Sequence, residues 1–157
     1  MSCQRMKRIR ATAIDLMSTR PKSAYEKVEG MFYFGRMLDK IRLHAKGELH
    51  PDYHAYLGAT RAADGFCCGF LRVNYSELTS RVLEGGTDSE ILQWCFEKGR
   101  RLEAIDLIIW NEFARKLGWN DRATAVLQKY KAKSGLAKRS DVETMMDYFE
   151  VDEGRKT

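Results

Sequence analysis

Only two of the 157 residues are proline, so no proline-rich linker divides the chain. Long apolar runs are missing as well. The uninterrupted ones are a few residues long, far short of the roughly 20 that a membrane-spanning helix needs. No stretch alternates apolar and polar residues for long enough to predict a sheet. There is no low-complexity tract and no repeat in the roughly 20–50-residue range of solenoids. The four cysteines, Cys3, Cys67, Cys68 and Cys95, include no CxxC pair, which removes the common zinc-ribbon and thioredoxin-like patterns. No GxGxxG follows a strand, and neither GxxxxGK[ST] nor GxSxG occurs. Nucleotide-fold and serine-hydrolase chemistry therefore lack a motif, and no cofactor is expected.

What is present suffices for a core. Hydrophobic residues make up 44% and aromatic residues 11% of a chain whose length suits one domain. The net charge of +5 is unevenly spread: residues 1–50 hold 11 basic and 5 acidic side chains, and residues 51–157 hold 16 and 17. Arg5, Lys7, Arg8 and Arg10 cluster at the start. They suit either a solvated arm or a non-specific contact with nucleic-acid phosphates. Met6, Ile9, Ile14, Leu16 and Met17 are too interrupted by charge for a secretory signal, so a cytoplasmic, reducing location is expected, with free thiols.

The periodicity predicts an all-α, compact single domain of six or seven short helices. Residues 1–22 form a basic, irregular lead-in, residues 23–152 the helical domain, and residues 153–157 a loose polar tail. The helix predicted from about Gly30 to Lys46 is apolar nearly all round, which places it at the centre. Asp64 and Asn74 are candidate caps for the next two helices. Thr87-Asp88-Ser89-Glu90 and Ser140-Asp141-Val142-Glu143 are capping boxes. From Glu103 to Leu117 another helix is expected, with Ile105, Leu107, Ile108, Ile109 and Phe113 mostly inward. Trp119, at a helix junction, is expected to wedge two helices apart.

One edge of the Gly30–Lys46 helix carries the candidate site. At 100° per residue Tyr33, Lys40 and His44 fall near one line, with Arg36 further round. Asp39 lies three residues from both Arg36 and Arg42, within ion-pair reach. Such an edge suits a ligand-binding pocket in which Arg36 and Lys40 hold an anion, Tyr33 donates and His44 acts as acid or base. It equally suits an internal salt-bridged network. Cys67, near a possible helix start, is the alternative catalytic candidate, as a nucleophile with Arg36 and Lys40 stabilising negative charge. His50 and His54 are four apart, but Pro51 and the lack of an HExxH arrangement argue against a metal site. Asn74 to Gly99 has the outline of a helix-turn-helix. Asp88 and Glu90 at the start of its second helix would meet phosphates, so sequence-specific DNA binding is not expected.

The runs Tyr25-Glu26-Lys27-Val28-Glu29-Gly30 and Gly35-Arg36-Met37-Leu38-Asp39-Lys40-Ile41-Arg42 resemble the signature of an uncharacterised bacterial family, a domain of unknown function. The likeness continues through Asp52-Tyr53, Asp64, Phe66, Glu90-Ile91-Leu92-Gln93-Trp94, Trp110 and Asp141-Val142-Glu143-Thr144. Glu29 stands where the family usually has glycine, and Ala24 where it has proline. The resemblance implies a bacterial, soluble, mostly helical domain and no particular activity. It marks Arg36, Asp39, Lys40 and Arg42, the edge already chosen from helical geometry. The expected role is thus a helical module for a small anionic ligand or a protein partner. The alternatives are an enzyme using His44 or Cys67, or a nucleic-acid-binding protein.

Overall fold

The computed structural model describes residues 19–157. Among them, α1 (Phe34–Ala45) leads to a 3-10 helix (Pro51–Tyr56), then α2 (Ala63–Leu71), α3 (Tyr75–Leu83) and α4 (Asp88–Lys98). The series ends with α5 (Ala104–Lys116), α6 (Thr124–Lys133) and α7 (Met145–Asp152). The described residues contain isolated bridges, Thr19 with Leu49 and Val28 with Met31, and no sheet, so the all-α reading holds. Arg5, Lys7, Arg8, Arg10 and Cys3 lie outside the described residues.

Helix α1 begins four residues later than its periodicity predicts. Glu29 and Gly30 both adopt positive φ, and Val28 and Met31 exchange both backbone hydrogen bonds across them, at 3.0 and 2.9 Å. This tight turn takes residues 28–31 out of the helix. Tyr33 then caps α1 at φ 72°, a conformation that costs a bulky residue on the order of 1–3 kcal/mol. From Phe34 the pattern is as expected: Phe34, Met37, Leu38, Ile41 and Leu43 are buried.

Local signals place the other helices. The Asn74 side chain accepts from Ser76 and Glu77 N–H and starts α3. Thr87 and Glu90 complete their reciprocal capping box at α4. The box at Ser140 does not open the last helix, which starts at Met145 behind a Thr144 cap. The buried Lys131 ammonium explains the shift: it donates to the carbonyls of Arg139, at 2.6 Å, and Val142, at 2.9 Å. Those carbonyls are committed to α6, and Val142 is driven into the core.

Helix α1 packs on α3, α3 on α2 and α4, and α7 on α5 and α6. The main core gathers Phe34, Met37, Leu38, Leu71, Ile91 and Trp110 among others. A smaller core under the C-terminal helices holds Leu117, Leu127, Val142, Met145 and Tyr148, with Phe66 and Phe149 packed against both. Helix α5 is rotated from its expected setting. Its buried residues are Trp110 and Ala114, with Leu107 packed partly against the core. Ile105, Ile108, Ile109 and Phe113 face solvent, 57%, 59%, 55% and 42% exposed. Polar atoms set this rotation: Trp110 Nε1 donates to the Phe32 carbonyl at 2.9 Å. Asn111 donates to the Gly30 carbonyl and accepts from Phe32 N–H, at 2.8 and 3.0 Å. Trp119 is also exposed and wedges nothing.

Two glycines one turn apart in α2 should respond oppositely to alanine. A Cβ on Gly65 would lie 2.3 Å from the Ala59 carbonyl oxygen, whereas one on Gly69 meets nothing within 4 Å. Urea unfolding should show Gly69→Ala stabilised by up to about 1 kcal/mol. Gly65→Ala should lose about 1–3 kcal/mol or more.

Candidate functional site

Of the edge marked by the sequence, Tyr33 borders a small apolar cavity of about 20 Å³, and Arg36 and Lys40 are taken up by ion pairs inside the protein. Four residues apart and so neighbours on one face of α1, Arg36 and Lys40 each anchor a buried ionic cluster. In the first, Tyr33 and Lys40 meet as their seven-residue spacing predicts. Lys40 Nζ lies 3.1 Å from the Tyr33 hydroxyl oxygen and donates to it. Both converge on Asp64, which the sequence reading takes for a helix cap. Ala62 occupies the cap position of α2, and Asp64 points inward from its first turn. Its Oδ1 accepts from the Tyr33 hydroxyl and pairs with Lys40 Nζ, each at 2.7 Å. Its Oδ2 accepts from Gly58 N–H at 3.1 Å. Burial lowers the Lys40 pKa, against the opposing pull of Asp64, and burial first and Asp64 second push the Tyr33 phenol well up.

The second cluster is built on Arg36, one of the most buried side chains of the chain. Its guanidinium grips Glu153 two-handed, Nη2 to Oε1 at 2.5 Å and Nη1 to Oε2 at 2.9 Å. Nη1 also donates to the Lys22 carbonyl at 3.0 Å. The guanidinium carbon sits 4.3 Å from the Phe149 ring centroid. Glu153 accepts further from the Tyr53 hydroxyl, at 2.7 Å, and from Arg155. Burial alone would raise the Glu153 carboxyl; Arg36, Tyr53 and Arg155 hold it below the ordinary range. Glu153, assigned by the sequence to a loose tail, is thus buried.

The remaining candidates lie apart from these clusters. Asp39 does not bridge Arg36 and Arg42; it accepts from Lys22 N–H at 2.9 Å. Arg42 pairs with Asp88 at 2.7 Å, and Lys22 joins the same carboxylate at 3.1 Å. His44 is exposed, its ring edge-on to that of His54 with centroids 4.8 Å apart. Cys67, Cys68 and Cys95 are free and buried. Burial, then Cys68 and Asp64, push the Cys67 thiol well above its ordinary pKa; burial first takes Cys68 and Cys95 to about 12. A thiol so disfavoured as thiolate is a poor nucleophile. Among the described residues no group of three or more His, Cys, Asp or Glu side chains could hold a metal. No helix there is long and apolar enough to cross a membrane.

The surface offers a different feature, which the sequence reading missed. Beside the exposed face of α5 runs an open groove of about 530 Å³ between α2 and α5. Phe66, Gly69 and Phe70 form one wall, and Ile109, Trp110 and Phe113 the other. The rings brace one another: Phe66 on Phe113 at 5.6 Å and Phe70 on Trp110 at 5.2 Å between centroids. The signal was present as two competing apolar stripes on α5. The sequence reading takes both Trp110 and the isoleucines as inward; Trp110 is buried as expected, and the polar atoms of Trp110 and Asn111 turn the isoleucines outward.

Residues 18–155 match the model of a protein family described as a domain of unknown function, DUF5069. No curated protein matches the chain.

Removing one member of a buried ion pair leaves the other charge uncompensated. Lys40→Met should therefore cost about 3–5 kcal/mol in urea unfolding, and adding Asp64→Leu should recover much of that loss. Acid should act through Glu153. Its folded pKa lies below its unfolded one, so just below pH 4.5 the unfolded chain binds the proton that the folded one refuses. This contribution is whole above that range and is lost as pH falls through the folded value. Unfolding curves at graded pH should show the acid limb flattened in Glu153→Gln.

Proposed function

The chain belongs to DUF5069, a domain of unknown function, and we propose that it acts as a helical protein-interaction module. The observation that carries this reading is the solvent-facing side of α5, where four large apolar side chains stand together above an aromatic-walled groove. Isolated exposed apolar residues are ordinary, but a contiguous patch flanking a groove is the mark of a contact surface. The anionic-ligand reading has less support. Arg36 and Lys40 already hold Glu153 and Asp64 inside the protein, so an anion would have to displace a buried carboxylate. The partner reading requires no such rearrangement, because the braced rings pre-form the groove.

A photo-crosslinking residue placed at Ile108 in cells tests this reading. A discrete cross-linked species should form there, and disappear when Ile105 and Ile109 are changed to serine. The same probe at Gln93, exposed on α4, should give none. Only diffuse products at position 108 would show that the face is not a contact surface.

A further inference from the structure

We propose that the outward face of α6, with the turn that leads into it, binds the phosphate backbone of a single-stranded nucleic acid without regard to sequence. This surface is on a different helix from the α5 patch and is independent of the interaction-module reading. Charge is segregated along the last third of the chain. Residues 122–139 hold six basic side chains and no acidic one, and residues 140–154 hold six acidic side chains and no basic one. Folding does not cancel one run against the other. Glu153 goes to Arg36, Glu150 to Ser23 and Arg155, and Asp147 to the Tyr25 hydroxyl. Asp141 pairs with Arg139, and the buried Lys131 donates to carbonyls. Arg122, Lys129, Lys133 and Lys138 are left exposed, with no ion-pair partner among the described residues. Two carboxylates stand near the ends of this face and are turned from it. Asp121 accepts from the N–H groups of Gly118 and Ala123, and Asp152 bonds to Ser134.

The fold presents these cations on a rigid support. Lys129 and Lys133, one turn or about 6 Å apart, lie opposite the buried Leu127 and Lys131. Through the Arg139 and Val142 carbonyls, Lys131 holds the loop that carries Lys138 back against the helix. At the other end, Arg122 follows a turn pinned at 2.9 Å by Asp121 on Gly118 N–H and by the Thr124 hydroxyl on the Gly118 carbonyl. That turn keeps Trp119 in solvent. Lysines on a fixed helix suit phosphates, and an exposed indole gives any unpaired base a face to stack on. A duplex hides its base faces from such a ring. One amide suited to base edges, Gln128, lies on α6, too little to read sequence. A lipid surface fits less well, because an interfacial helix sinks a broad apolar face. Helix α6 turns its apolar side to the core and leaves Val126 as its one exposed aliphatic larger than alanine.

Fluorescence anisotropy of the full chain with an end-labelled oligouridylate of about 15 nucleotides tests the proposal. Affinity should fall with salt with a log–log slope of about −3, as four phosphate contacts on a single strand imply. Lys129→Glu with Lys133→Glu should weaken binding about tenfold or more and flatten that slope, with unchanged helical circular dichroism because both side chains are exposed. Trp119→Ala should weaken it about fivefold or more, the loss of one stacked base. Lys46→Glu with Lys98→Glu makes the same charge change on exposed sites of α1's end and α4 and should leave binding nearly unchanged. The proposal is overturned if the wild-type chain does not bind at low salt, or if the α6 pair of substitutions leaves binding intact. Equal losses in the two double variants would overturn it as well, by reducing the effect to net charge. So would binding to anionic phospholipid vesicles without binding to the oligonucleotide. A duplex of the same length bound as tightly, or an unaltered affinity in Trp119→Ala, would overturn the single-strand assignment.

Discussion

The contact between Arg36 and Glu153 organises more of this protein than any other. Glu153 collects donors from α1, from the 3-10 helix through Tyr53, and from Arg155 in the turn that follows α7. Arg36 and Arg155 in turn reach the carbonyls of Lys22 and Pro21, so the segment before the first helix is held by the same knot. A buried ion pair adds little net stability over a well-packed apolar replacement. Its force is conditional. Any compact arrangement that buries one of the two charges without the other is heavily penalised, so the pair selects which segments may pack together. Lys40 and Asp64 impose a similar condition between α1 and α2.

This division between local and conditional interactions explains what the sequence made legible. Asn74 and Thr87 cap their helices with groups two or three residues away, and the all-α architecture followed from such signals and from periodicity. The meeting of Tyr33 with Lys40 was legible too, because a seven-residue spacing returns to the same helix face. The carboxylates completing the clusters were not. Nothing local separates Glu153 from Glu150 or Asp152, and Asp64 sits where a cap would also sit. At Ser140 and Thr144 two cap signals competed, and the deciding group, Lys131, lay in the preceding helix.

Helix α5 shows the same principle with the polarity reversed. Facing its isoleucines inward would bury more hydrocarbon. It would also leave the half-buried Phe32 backbone N–H and carbonyl without Asn111 and Trp110, and an orphaned buried polar group costs about 1–3 kcal/mol. The backbone of the 28–33 turn, itself forced by Glu29 and Gly30 at positive φ, therefore dictates which stripe of α5 is hidden. The exposed apolar face is thus a by-product of a turn some 80 residues earlier in sequence, and it supplies the surface on which the interaction reading rests.

The separation of Arg36 from its partner also bears on how the chain matures during synthesis. A ribosome releases Arg36 117 residues ahead of Glu153. Throughout that interval the guanidinium has no Glu153 to enter the interior with, so α1 can pack only with the long Arg36 side chain carrying its charge out to water. An ion pair that adds little to the finished molecule thereby sets the moment at which Arg36 can turn inward.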